Sequence, residues 1–154
     1  MTDMTMQMQK VNNNLAGWLD RYSVTLLRIS LGLVFFIFGA LKFVPGASPA
    51  QELVIRTFDK LSFGLVPGTT ALLITAAAEC FIGLTLITGK FLRTGLTVLA
   101  VSMVGIMSPL VLFTGDLFPG APTLEGQYVL KDIVLVTAGL VVAARALGGQ
   151  PEKA

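Results

Sequence analysis

Four apolar runs of about 20 residues dominate the chain, each bounded by glycine, proline or charged positions. They predict helical spans over 23–43, 69–88, 94–114 and 127–147. Pro45-Gly46 closes the first, Pro67-Gly68 and Gly89-Lys90 bracket the second, and Pro109 should kink the outer half of the third. At about 1.5 Å per residue, such a run crosses about 30 Å of hydrocarbon. Helix is expected because lipid offers no partner to an unpaired backbone group. The fold class read from this pattern is an all-α membrane protein, a bundle of four transmembrane helices. The first run is not expected to be a cleaved leader, since it ends at Lys42 instead of a small-residue cleavage site.

Between the first two runs, the loop over 44–68 has a pattern of its own. Ser48, Pro49 and Gln51 read as a helix start with a capping box. Over 49–62, Leu53, Val54, Ile55, Phe58 and Leu61 share one broad face, while Glu52, Arg56, Asp59 and Lys60 share the other. This predicts an amphipathic helix lying along the outer membrane surface, either as a plug over helix ends or as a ligand-gating lid. Residues 1–22 are expected to be a mobile tail, with 1–14 polar, methionine-rich and without periodicity. Met4, Met6 and Met8 alternate but lack the further ligands a soft-metal site needs. Residues 148–154 form a short C-terminal tail.

Composition supports the membrane reading. Of 154 residues, 54% are hydrophobic and 13% charged, about half the charged share of a soluble domain. The mean hydropathy is +0.79. Net charge is only +2 and no basic patch is present, which argues against a nucleic-acid partner. There is no histidine, so imidazole ligation of haem or metal is excluded. A single cysteine, Cys80, excludes a two-cysteine thiol relay. Lys10, Arg21, Lys90, Arg93, Arg145 and Lys153 flank one side of the spans, and Lys42, Arg56 and Lys60 the other. That bias places both termini in the cytoplasm.

Charges inside the runs are the candidate chemistry. Arg28, Gly32, Phe35, Gly39 and Lys42 recur at spacings of four and three, forming one stripe of the first helix. Glu79 sits near the middle of the second, flanked by Ala76 and Gly83 on a small-residue face. Lys131 and Asp132 lie about one turn into the fourth, whose stripe continues through Leu135, Gly139 and Ala143. Depth counting predicts two polar layers. The inner one joins Arg28 to Glu79. The outer one joins Lys42, Lys131 and Asp132, with Gln127 beside them and Asp132 accepting from Lys42. Two readings stand side by side: a ligand or intramembrane polar site, or ion pairs that only fix helix register while the lysines snorkel. No nucleophile–base pair accompanies these charges, so no catalytic residue is assigned.

The stretches LRISLGLVFFIFGALKF, LSFGLVPG, TGKFLRTGL and PTLEGQYVLKDIVLV resemble the DoxX-like family, specifically its YkgB-type membrane proteins. The resemblance covers about 26–146. It implies a four-helix inner-membrane protein, with Lys42, Glu79, Lys131 and Asp132 as candidate functional positions. It also links the chain to redox processes, because some relatives resemble membrane subunits of thiosulfate:quinone oxidoreductases and one serves reactive-chlorine defence. The expected function is a non-catalytic accessory or anchor subunit linked to oxidative stress, needing no cofactor but with a quinone or lipid as candidate ligand. Its expected partners are the bilayer and other redox subunits or further copies of itself. The alternative is a small proton- or anion-coupled carrier with Glu79 as the titrating group. An enzyme ranks behind both.

Overall fold

The structure is a computed structural model that describes residues 2–148, and every regular element in them is helical. Helix α1 spans Thr2–Leu41, α2 Gln51–Leu61, α3 Gly68–Thr88 and α4 Leu92–Met107. Two short helices follow, α5 Pro109–Leu112 and α6 Thr114–Leu117, and α7 spans Leu124–Ala146. Three helical stretches are long and apolar enough to cross a membrane: 6–41, Gly68–Thr88 and 92–112. The fourth long helix, α7, has 23 residues, and Lys131 and Asp132 interrupt its apolar run.

The segment expected as a tail is instead the first half of α1, a single helix of 40 residues. No proline interrupts the chain before Pro45, and a helix nucleated by the apolar span extends cheaply through Met, Gln, Leu and Ala. Helical geometry also exposes a periodicity that the polar composition hides. Met4, Met8, Val11, Leu15, Trp18 and Tyr22 recur at four and three, all of them exposed.

The long helices pack in a ring, α1 against α3, α3 against α4, α4 against α7, and α7 against α1. The α1–α3 seam is the tightest. A Cβ on Gly39 would fall 2.8 Å from Glu79 Cβ, and one on Gly83 would fall 2.6 Å from the backbone nitrogen of Phe36. Only glycine permits such an approach. One core cluster, Leu31, Phe35, Ile82, Leu86, Leu99, Met103 and Val142, ties the four long helices together. A second, Leu53, Phe113, Leu117 and Val129, joins α2, the α5–α6 segment and the start of α7.

Local signals explain the breaks. Helix α4 ends at Met107 and restarts at Pro109, where the missing amide and ring clash forbid a continuous ladder. Gly89 ends α3 in a left-handed turn at φ 72. The Thr123 hydroxyl caps α7 by accepting from the Gly126 amide at 3.1 Å. Helix α2 forms within the expected 49–62, but its cap differs. Ala50 is the N-cap, Gln51 Oε1 accepts from the Gly46 amide at 2.9 Å, and the Ser48 hydroxyl is buried without a partner among the described residues. Leu53 and Thr57 form its buried face, and it packs on α3 and α5.

Candidate functional site

The α1 stripe faces inward as its spacing predicts: Gly32, Phe35, Gly39 and Lys42 are buried, and Arg28 is half-buried. On α3, Ala76, Glu79 and Gly83 are buried together. The seam brings the two stripes into one register, with Gly39 against Glu79 and Cys80, and Gly32 against Leu86 and Ile87. Lys42 lies about one turn beyond Gly39, so its side chain folds back along α3 to the carboxylate. Lys42 Nζ donates to Glu79 Oε2 at 2.6 Å, and the two side chains are only 3% and 8% exposed. The same ammonium also approaches the Phe38 carbonyl at 3.4 Å.

This overturns the expected inner layer. Arg28 does not meet Glu79; the Glu79 level lies about 11 residues further along α1, roughly 16 Å of helix. Depth counting aligns the ends of the two apolar runs, whereas the glycine contacts slide α3 toward the C-terminal half of α1. The expected Lys42–Asp132 pair is also absent; Lys42 pairs with Glu79 instead.

A cavity of about 880 Å³ opens beside the pair, between α1, α2, α3, α4 and α7. Lys42, Glu79, Lys131 and Asp132 all line it, and most of its wall is apolar, with Phe35, Phe38 and Ile106 among the larger contributors. Asp132 is half-buried and has no cation within 4 Å among the described residues. Lys131 is exposed, its ammonium 3.8 Å from the centre of the Tyr128 ring. Two predicted residues lie elsewhere. Gln127 is exposed and donates to the Pro122 carbonyl at 3.3 Å, and Arg28 lines a separate cleft.

Four polar residues on the wall escaped the sequence reading: Thr57, Thr75, Thr97 and Tyr128. Thr57 and Thr75 spend their hydroxyl protons on carbonyls one turn back, at Leu53 and Ala71, so each presents an acceptor. Tyr128 stood one turn before Asp132 and could have been placed beside it by spacing alone. Helix α2 covers one side of the cavity with Leu53, Val54, Thr57 and Phe58. It is tied to the α5–α6 segment by Arg56, which donates to Asp116 Oδ2 at 2.5 Å and stacks 4.6 Å from the Phe113 ring centre.

Comparison with known protein families matches residues 23–115 to DoxX. The chain belongs to the DoxX family. The matched region carries α2, α3, α4 and the apolar half of α1, and so both members of the ion pair. With its long apolar helices, this DoxX protein is a multi-pass membrane protein. No curated protein and no solved structure gives a match.

Proposed function

We propose that this DoxX protein is a non-catalytic, redox-associated membrane subunit that holds a quinone or lipid in its central cavity. The observation that carries the reading is the Lys42–Glu79 pair on the wall of an 880 Å³, mostly apolar space. That volume falls within the usual range of small-molecule sites, roughly 300–1,000 Å³. An ammonium has three donors, and Lys42 commits two of them to Glu79 and the Phe38 carbonyl. The third suits a carbonyl oxygen, while Phe35, Phe38 and Ile106 suit an isoprenoid or acyl chain.

Several finer features belong to the same proposal. Helix α7 is the fourth span, α2 lies at the membrane interface, both termini are cytoplasmic, and the membrane is the bacterial inner membrane. The lysine and arginine distribution supports this orientation. The YkgB-type resemblance supports a role in oxidative stress beside other redox subunits or in a homo-oligomer. Cysteine placed at Lys90 in a Cys80→Ala background should label only from inside intact cells; labelling from outside overturns the topology.

The ligand reading is tested by purifying the protein in mild detergent and identifying the extracted small molecules by mass spectrometry. A quinone or lipid at near one per chain, lost in Lys42→Met/Glu79→Leu, supports it. A cavity that carries only detergent and takes up no added quinone or lipid sinks it. One observation favours the carrier as a second reading: Glu79 and Asp132 face the same cavity. Two carboxylates on one cavity wall could pass a proton between them. Proton flux in liposomes that Glu79→Gln abolishes would favour that reading.

A further inference from the structure

We infer that a second cleft, built by Arg21, Arg28 and Arg145, binds a phosphate group of net negative charge. It lies between the middle of α1, the start of α4 and the end of α7, and encloses about 340 Å³. It is separate from the Lys42–Glu79 cavity, and the inference does not depend on what fills that space.

Sequence spacing assembles half of the cleft. Arg21 and Arg28 stand seven residues apart on α1, two turns along one face, with Asp20 at the edge. Tertiary packing supplies the rest, since α7 runs back along α1 and brings Arg145 from its last turn. Three guanidiniums and one carboxylate leave the cleft with two positive charges in excess. Among the described residues, none of these arginines has a carboxylate within 4 Å, Asp20 included.

Arg28 is the fixed point. It is half-buried, and its guanidinium lies against Gly89, whose left-handed turn leaves no Cβ in the way. That contact places the planar fork at the cleft, where Arg21 and Arg145 are exposed. Guanidinium offers parallel donors that match two phosphate oxygens, and a second and third arginine can take the remaining ones. Leu92 and Val142 form an apolar wall of the same cleft. A lipid phosphate would set the first carbons of its chains against this wall. A free phosphate would use the guanidiniums alone.

The test uses the full chain in neutral detergent, titrated separately with phosphatidylglycerol, phosphatidylcholine and inorganic phosphate. Native mass spectrometry reads bound adducts and Tm reads stabilisation. The expected result is a phosphatidylglycerol adduct and a Tm increase, neither reproduced by phosphatidylcholine. Binding by inorganic phosphate alone would keep the site and assign its source to the soluble anion. R28Q/R145Q should weaken binding by roughly ten- to hundredfold, as losing charge-assisted hydrogen bonds implies. K90Q/R93Q removes the same charge outside the cleft and should bind as wild type does. If R28Q/R145Q does not fold, R28K/R145K gives the same answer: it keeps charge, loses the fork, and should bind several-fold more weakly. The inference is overturned if neither anion binds, or if the cleft and control variants weaken binding equally.

Discussion

The α1–α3 seam and the opposite side of the ring are built from similar residues to opposite effect. At the seam, Gly39 and Gly83 let two backbones close until no added Cβ would fit. Across from it, Gly105 of α4 has nothing within 4 Å of the position its Cβ would take and lies on the cavity wall. Glycine alone therefore does not dictate close packing; what faces it does. The closed seam fixes Lys42 and Glu79 in one register, and the open side presents that pair to a space large enough for a ligand. Rigidity on one side and room on the other is what a preorganised site requires.

The largest effect should come from breaking the pair. Lys42→Ala or Glu79→Ala each leaves a lone buried charge and should cost about 3–5 kcal/mol. The double change Lys42→Met/Glu79→Leu should recover most of that loss, measured as Tm in detergent. Losses that simply add would mean the two side chains act independently. Next in size is the seam itself. Gly39→Val puts a branched side chain against Glu79 and Cys80 and should cost about 1–3 kcal/mol. If Tm does not fall, the seam is looser than its geometry.

The opposite side should answer in the other sense. Gly105→Leu meets open space, so stability should hold or rise by up to about 1 kcal/mol, helped by helix propensity. The same change fills part of the cavity and should lower the amount of co-purifying ligand. Reduced Tm with unchanged ligand content would reverse the contrast. The smallest effect is expected at the cover. Arg56→Ala removes an exposed ion pair and the stacking on Phe113, and should cost less than about 1 kcal/mol. Faster ligand exchange without a Tm change would indicate that the contact holds α2 over the cavity.

Much of this was legible in the chain. The apolar runs located α3 and α7, the end of α1 and the start of α4 to within a few residues, and the two-faced pattern located α2, because burial imposes a fixed period on each element. The spacing of small residues also identified which faces of α1 and α3 turn inward. At 1–22 the polar composition masks the helical period of α1, and the cap of α2 falls at Ala50 instead of Ser48, because neither depends on the apolar pattern alone.

Pairing was the part that residues alone could not supply. Arg28 and Lys42 sit on the same stripe, and both are candidates for Glu79 by charge and reach. The choice between them is a choice of register, and register depends on where two helix surfaces fit most closely. Gly39 against Glu79 and Gly32 against Leu86 set that fit, which sends Lys42 to the carboxylate and leaves Arg28 to another cleft. The sequence by itself determined the helices, their inward faces and the family. Only the tertiary structure decided which charges meet, because a slide of a few residues between packed helices preserves every periodicity while changing every partner.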